Sequence, residues 1–321
     1  MTDKKMDIIR ALKRAGNNPI SGEELGGILG ISRTMVWKYM KALGEEGYVI
    51  RSSPGSGHVL VSAPDKLYPS EIMDGLDTSI IGGDIRYFDE VDSTNDVAKK
   101  MGSSSDEGTV VIAEMQDSGR GRKGGHWMSP RGGVWMSVIL KPNVVPAYAP
   151  RFTLMAGVAV AKAIRGLGVE ASLKWPNDVL IGDKKVCGIL TEMDAECDQI
   201  NFVIIGIGIN VNVLIEELSE DLRSSSTSLS EIKGEELDRI AFVQALLRAL
   251  EDEYIRSKTS GFDSILEEWR SLSSTIGRDV DVVTPQRIIR GKAVGITENG
   301  TLLVETAEGL EEIVAGSCIH G

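Results

Sequence analysis

The chain has 321 residues and a mass of 34.6 kDa, more than one hydrophobic core usually holds, which predicts two or three domains. Hydrophobic residues make up 42% and charged residues 26%, an ordinary globular composition that excludes wholesale disorder. No apolar stretch in the sequence is long enough to span a bilayer and no signal region is visible, so we expect a cytoplasmic protein. The three cysteines and three histidines are dispersed, which argues against a disulfide framework and against a metal centre built on His or Cys.

The formal net charge of −12 is unevenly distributed along the chain. Residues 1–62 contain nine basic and six acidic side chains, a charge of +3, which leaves −15 for residues 63–321. A mildly basic module attached to an acidic body is compatible with nucleic-acid contact at one end only.

Residues 1–63 are predicted to form a winged helix-turn-helix DNA-binding domain. Apolar spacing indicates three helices, the second N-capped by Ser21 and the third by Ser32. A β-hairpin with its turn at residues 52–57 follows and would be the wing. A small helical protein-interaction domain is the alternative for this pattern.

Two helix faces in this domain carry specific expectations. On the second helix, Leu25, Ile28 and Leu29 are expected to face inward. On the third helix, one face is apolar and the opposite face combines cations, a hydroxyl and an indole, which suits a major-groove recognition helix. The predicted DNA-contacting residues are Arg33, Thr34, Trp37, Lys38 and Lys41.

The central body is predicted to span residues 66–270. Its most informative stretch is a glycine-rich loop that follows a predicted strand. It contains four glycines in seven residues, together with Arg120, Arg122 and Lys123. Bare backbone approaches a ligand closely, and clustered cations suit a phosphate or the charge that develops during nucleotidyl transfer. The loop is not a Walker motif, because no Gly-Lys-Ser/Thr opens a helix here. A surface loop whose charges aid solubility is the alternative.

Other polar clusters in this body point to the same kind of site. Ser93, Thr94 and Asn95 open a helix with more hydrogen-bonding capacity than capping requires. A strand delivers Lys174 and the segment 177–178 around a Trp-Pro break, and a hairpin returns the chain through 185–192. The glycines at 206 and 208 lie within a predicted strand, so they mark close approach by a ligand or another segment rather than a dinucleotide fold.

Residues 271–321 are predicted to form a small C-terminal β domain. Several short strands are separated by hairpin turns at Asn299-Gly300 and Glu308-Gly309. Four or five strands in this length are typical of an SH3-like barrel.

These motifs resemble those of the bifunctional biotin–protein ligases that also repress biotin operons, and the resemblance covers nearly the whole chain. It implies an α+β architecture with an N-terminal winged helix-turn-helix, a central mixed-sheet α/β ligase domain and a C-terminal SH3-like barrel. The matching segments, in the family's order and approximate spacing, are Ser93-Thr94-Asn95, Gln116 with 119–124, 174–178, 185–192 and 206–212.

The resemblance implies an ATP-dependent biotin–[biotin carboxyl-carrier protein] ligase. In such a reaction biotin and ATP give biotinoyl-5′-AMP and pyrophosphate with Mg²⁺, and biotin then passes to one lysine of a carrier domain. The adenylate-bound form is expected to dimerise and bind operator DNA. A ligase whose winged helix does not bind DNA and a ligand-sensing repressor without ligation remain alternatives. Lipoate–protein ligases are disfavoured, because the Arg-Gly-Arg loop and the winged domain are not theirs.

The resemblance also implies roles for individual residues. Lys174, Arg120 and Arg122 are the predicted catalytic cations, which screen the repulsion between a carboxylate and a phosphate. No residue is assigned to Mg²⁺, although Asp178 is the first to test, and Gly125-His126 departs from the basic or bulky residues that are usual there. The residues predicted to bind biotin or its adenylate are Ser93, Thr94, Asn95, Gln116, Gly119, Arg120, Gly121, Arg122, Lys174 and Gly188. The residues predicted on the ATP side are Trp127, Asn177, Lys185 and Asn210.

Overall fold

The computed structural model describes residues 4–53 and 55–320, and its chain divides into two compact units, residues 1–66 and 67–321. Within the described ranges, no helix is long and apolar enough to cross a membrane.

The first unit is a winged helix-turn-helix, as predicted. Ser21 Oγ accepts a hydrogen bond from the backbone of Glu24 at 3.0 Å, and Ser32 Oγ accepts one from Met35 at 3.3 Å, so both predicted N-caps are formed. Pro54, in the predicted turn, lies outside the described residues. The elements are α1 (Lys4–Ala15), α2 (Gly22–Leu29), α3 (Arg33–Glu45), β1 (Val49–Ser53) and its antiparallel partner β2 (Gly57–Ser62).

One expectation for α2 is wrong, because Ile28 is exposed whereas Leu25 and Leu29 are buried. At 100° per residue, the buried arc of this short helix runs from Leu25 through Leu29 to Gly26. A Cβ at Gly26 would lie 2.7 Å from the carbonyl oxygen of Ile31, so the next segment of chain packs directly on that glycine. The close glycine contact turns the helix and leaves Ile28 outside the buried arc.

The second unit is built on a seven-stranded mixed sheet. The central strands are β3 (Ile85–Phe88), β4 (Val110–Ala113), β5 (Val134–Leu140), β6 (Ser172–Lys174), β7 (Asp178–Ile181), β8 (Lys184–Ala195) and β9 (Ile200–Ile209). Their order across the sheet is β3-β4-β5-β9-β8-β7-β6, and only the β3–β4 pair is parallel. Strand β5 is buried along its whole length, which places the site strands in the interior of the unit.

Helices cover this sheet on both faces. The helices of the unit are α4 (Pro69–Met73), α5 (Thr94–Met101), α6 (Ala149–Arg165), α7 (Glu220–Arg223), α8 (Leu229–Lys233), α9 (Arg239–Ser260) and α10 (Asp263–Leu272). The main core forms where α6, α9 and α10 pack against one face. A smaller cluster joins Ala98 of α5 to Ile139 and Phe202 on the other face, and this second face carries the candidate site.

The C-terminal part of the unit is a five-stranded antiparallel sheet of the kind expected for a small SH3-like barrel. Its strands are β10 (Asp279–Val283), β11 (Ile288–Ile296), β12 (Leu302–Thr306), β13 (Gly309–Ile313) and β14 (Ser317–His320), in the order β13-β12-β11-β10-β14. The C-terminal sheet is docked on the central one, because Trp175 donates from its indole to Gly300 O at 3.0 Å. Thr275 Oγ1 also accepts a hydrogen bond from the Trp175 backbone at 3.0 Å.

A buried ion pair connects the glycine-rich loop to the rest of this unit. Glu114 follows β4 directly, and Arg239 begins α9; both side chains are 2% exposed and their charged groups are 2.9 Å apart. Glu114 also accepts from the backbone of Leu67 at 2.7 Å, and Arg239 donates to Gly133 O at 3.0 Å. The pair therefore ties down both ends of the loop segment and the first residue of the unit.

We expect Glu114→Gln to lower the free energy of unfolding of the second unit by about 3 kcal/mol, because it removes the carboxylate of a fully buried ion pair. The matched control is Glu170→Gln, since Glu170 pairs with Arg165 at 2.9 Å but is 90% exposed. That substitution should cost less than about 1 kcal/mol. Urea titration of both variants measures the difference, and equal losses would contradict the importance given to the buried pair.

Candidate active site and helix-turn-helix surface

A pocket of about 290 Å³ opens on the face of the central sheet that carries α5. It is bounded by the start of α5, the glycine-rich loop and the facing strands β8 and β9. The predicted residues that line it are Ser93, Thr94, Asn95, Gln116, Arg120, Gly121, Arg122, Trp127, Asn177, Lys185 and Gly188. Segments predicted separately along 100 residues of sequence thus converge on one cavity.

Three glycines form the floor of this pocket. Gly188 and Gly208 are paired across β8 and β9, and a Cβ on either would lie within 2.8 Å of the Trp127 indole. A Cβ at Gly206 would lie 2.1 Å from the Asn95 side-chain oxygen. The strand glycines therefore allow two side chains to rest directly on the sheet, which is the close approach predicted for 206 and 208.

A group of polar side chains at the start of α5 forms one wall of the pocket and is fixed by hydrogen bonds. This polar wall consists of Thr94, Asn95 and Gln116, supported by Ser129 and Ser137. Gln116 accepts from the Thr94 backbone at 2.8 Å and donates to Ser129 Oγ at 2.8 Å. Ser137 Oγ lies 2.8 Å from Thr94 Oγ1 and 2.6 Å from Asn95 Oδ1. All of these groups except Gln116 are at most 4% exposed, and the network fixes the positions of Thr94, Asn95 and Gln116, which line the pocket.

Arg120 is held at the pocket by two carboxylates. Its guanidinium makes two 3.0 Å hydrogen bonds to the oxygens of Glu192 and a 2.6 Å contact to Asp96. Burial lowers the pKa of Arg120, but the carboxylates of Glu192 and Asp96 outweigh this and the pKa is raised. Asn95 donates to the same Glu192 at 2.9 Å, so the cation is joined to the polar wall.

Arg122 enters the pocket from the loop and is half-buried. Its guanidinium donates to Gly316 O at 3.0 Å and lies 3.4 Å from Asn177 Oδ1. Burial lowers its pKa, opposed only by the charge of Asp178. A desolvated guanidinium with spare donors is suited to binding an anionic ligand.

Lys185 places a further cation in the pocket. Its Nζ lies 2.7 Å from Asp178 Oδ1 and 5.0 Å from the centre of the Trp127 ring. The Ser-rich segment after α7 fixes its backbone, because Lys185 N donates to Ser225 O and its carbonyl accepts from Thr227 N. Trp127 Nε1, which is buried, has no hydrogen-bond partner within the described protein and is available to a ligand acceptor.

Three predicted site residues do not line this pocket: Gly119, Lys174 and Asn210. Gly119 supports the loop, since a Cβ there would lie 2.2 Å from Trp127 O. Asn210 is buried and donates to Thr227 O at 3.1 Å, which holds the segment beside Lys185. Lys174 lies near His320 of the last strand instead. The pKa of His320 is lowered to about 4, first by burial of the imidazole and next by the charge of Lys174.

Sequence reasoning missed Ser137, Asp96 and Glu192 as parts of the site. Ser137 had a detectable signal, because it is the only hydroxyl in an otherwise apolar, fully buried strand. The two carboxylates gave none, since their importance depends on where the Arg120 side chain lies.

The helix-turn-helix unit carries a separate polar surface. Val36, Met40 and Leu43 of α3 are buried, as the apolar face requires. The predicted DNA-contacting residues Arg33, Thr34, Trp37, Lys38 and Lys41 are all exposed. Trp37 is 62% exposed, so its indole is open to solvent like the cations of this helix.

Three known family models match the chain, one for each part of the fold. Residues 4–59 match an HTH domain, residues 87–210 match the Biotin/lipoate A/B protein ligase family and residues 275–321 match the Biotin protein ligase C terminal domain. The ligase match contains the polar wall, the loop and the lysines described above.

Individual proteins are also similar to this chain. The bifunctional ligase/repressor BirA of Bacillus subtilis is 42% identical over 312 residues, 96% of each chain. The BirA of Escherichia coli is 31% identical over 89% of this chain and 88% of its own. A biotin protein ligase structure from Aquifex aeolicus, in complex with biotin and ATP, aligns with 74% of this chain and all of its own, at 32% identity and a TM-score of 0.66. With its helix-turn-helix, ligase and C-terminal parts all matched, the chain belongs to the family of bifunctional biotin–protein ligase/repressors.

Proposed function

We propose that this chain binds biotin and ATP in the described pocket and joins biotin to a lysine of a biotin carboxyl-carrier protein. The observation that carries the proposal is the gathering of Arg120, Arg122 and Lys185 around one cavity of a chain whose net charge is −12. A carboxylate and a triphosphate repel each other, and fixed cations remove that barrier.

The chemistry has two steps. A carboxylate oxygen of biotin attacks the α-phosphorus of ATP, and the bond to the β-phosphate breaks to release pyrophosphate. The neutral ε-amine of the acceptor lysine then attacks the acyl carbon, AMP leaves and the amine loses a proton. Because the acyl adenylate is a mixed anhydride that water destroys, the site must exclude water between the steps.

The polar wall supports biotin recognition. Thr94, Asn95, Gln116 and Ser137 hold one another in place, so their remaining donors and acceptors meet a ureido group without losing side-chain freedom. Arg122 and Lys185 lie across the pocket from this wall in the proposed arrangement and bind the carboxylate and phosphate end.

Mg²⁺ and the acceptor fit the same region. Asp178, which lines the pocket beside Lys185, would be the residue to hold Mg²⁺, and the ion would supply charge neutralisation for the phosphates. A second cavity of about 710 Å³ shares Arg122 and Asn177 with the ligand pocket. We assign it as the path by which the acceptor side chain reaches the adenylate.

The direct test incubates the purified chain with biotin, MgATP and a carrier domain and measures the carrier mass. The carrier should gain one biotinoyl group, whereas omission of ATP, chelation by EDTA or replacement of the acceptor lysine by arginine should prevent the gain. A chain that binds biotin but never modifies the carrier would be a ligand-sensing repressor instead.

The two lysines can be distinguished by substitution. Lys185→Gln should slow adenylate formation by about 100-fold, because it removes a fixed cation from the pocket. Lys174→Gln should cause a much smaller loss, since Lys174 lies outside the pocket lining. Single-turnover release of pyrophosphate measures both, and a greater loss at Lys174 would support the catalytic role predicted from the sequence.

We further propose that the adenylate-bound chain dimerises in the cytoplasm and represses transcription at an operator. The exposed cations of α3 support DNA contact, and the first residue of the ligase unit, Leu67, is hydrogen-bonded to Glu114 at the base of the loop. Ligand binding at the loop would favour the dimer only to the extent that the adenylate binds the dimer more tightly than the monomer.

Lys38→Ala and Lys41→Ala should each weaken operator binding and lower the slope of log affinity against log salt by about one, as lost phosphate contacts do. Fluorescence anisotropy over a KCl series, with biotin and ATP present, measures the slope. Arg14→Ala on α1, outside the predicted face, is the control. Unchanged slopes for both lysines would indicate a ligase whose winged helix does not bind DNA, and binding indifferent to biotin and ATP would reject the coupling.

A further inference from the structure

The glycine-rich loop is attached to the C-terminal sheet as well as to the catalytic core. Lys123 Nζ donates to Val283 O at 3.2 Å and to Ser317 Oγ at 3.4 Å. Arg122 donates to Gly316 O at 3.0 Å. Val283 ends β10, and residues 316–317 lead into β14, so two neighbouring strands of the C-terminal sheet supply all three acceptors.

Lys123 adopts a backbone conformation that its residue type does not favour. Its φ of 55° is the only positive φ of a non-glycine residue in the ranges 4–53 and 55–320. This conformation costs about 1 kcal/mol in an L residue, and a glycine would adopt it without strain. Four of the seven residues 119–125 are already glycine, so a fifth would be the unstrained choice if the side chain did nothing.

The strain has a structural result, because it directs the Lys123 side chain to the C-terminal sheet. A lysine that served only solubility would reach water equally well from an unstrained backbone. The acceptors themselves are fixed, since the indole of Trp175 and the side chain of Thr275 dock the C-terminal sheet on the core. The loop is therefore fastened to a rigid support.

The other side of the loop is fastened to the core. Arg120 is bound by Glu192 and Asp96, and the loop folds on itself where Gly121 N donates to Gly125 O at 2.7 Å. The short segment between Arg120 and Lys123 thus spans from the polar wall to the C-terminal sheet, above the pocket.

We propose that Lys123 is a positioning residue through which the C-terminal domain holds the loop closed over the acyl adenylate. This inference rests on the proposed ligase function, since it concerns retention of that intermediate. Lys123 itself makes no bond in the reaction; it sets how long the anhydride stays shielded from water and from stray amines.

The test compares Lys123→Gly, which removes the side-chain bonds and relieves the strain, with Lys123→Arg, which keeps a cationic donor. In the full-length chain charged with biotin and MgATP, Lys123→Gly should release biotinoyl-AMP about tenfold faster, the effect of roughly 1.4 kcal/mol of lost hydrogen bonding. Lys123→Arg should restore slow release. Lys292→Ala, an exposed lysine of β11, is the control and should behave as the original chain.

A second measurement does not depend on ligation. Hydrogen–deuterium exchange of residues 117–127 in the ligand-free chain should be faster in Lys123→Gly, while the melting temperature changes little because the relieved strain offsets much of the lost hydrogen bonding. In the Lys123→Gly background, Ser317→Ala should add nothing further. Exchange or release equal to that of the original chain in Lys123→Gly would overturn the inference, whereas failure of the original chain to form any adenylate would overturn the proposed function.

Discussion

The buried ion pair of Glu114 and Arg239 is the constraint on which the site depends. A glycine-rich loop has high conformational entropy, and it can shape a pocket only if its ends are fixed. The pair fixes both, because Glu114 precedes the loop and Arg239 binds Gly133 after it. The same carboxylate holds Leu67, so the base of the loop and the entry to the ligase unit share one buried charge.

The cations of the loop and of strand β8 then have different roles, which their acidic partners determine. Arg120 is already neutralised by two carboxylates, whereas Arg122 and Lys185 each face one acidic group and keep donors for a ligand. Lys123 is directed away from the pocket to the C-terminal sheet. A cluster of positive charge that looks uniform along the sequence therefore contains groups for ligand binding, for loop geometry and for domain attachment.

The fold followed from the sequence because each signal was local. Caps at Ser21 and Ser32 and alternating strand and helix segments specify the elements, and the family motifs converge on one pocket. The orientation of Lys185 toward the pocket could not be predicted from local sequence. Strand β8 has an irregular pairing with β7 that skips Val186, so Lys185 faces the same side as Gly188 despite odd spacing. No residue type predicts such a bulge. The attachment of the loop to β10 and β14 could not be predicted from the sequence either.

The glycine floor of the pocket has a thermodynamic consequence. Gly188, Gly206 and Gly208 weaken two central strands on one side, and the isoleucines that alternate with them, such as Ile189 and Ile207, bury their side chains in the main core on the reverse side. Because this floor is backbone held in a hydrogen-bonded ladder, it has no rotamers to lose when a ligand arrives. The conformational entropy lost on ligand binding is therefore lost mainly by the loop above the pocket. Substitutions in the loop can make retention of the ligand tighter or looser without disturbing the sheet.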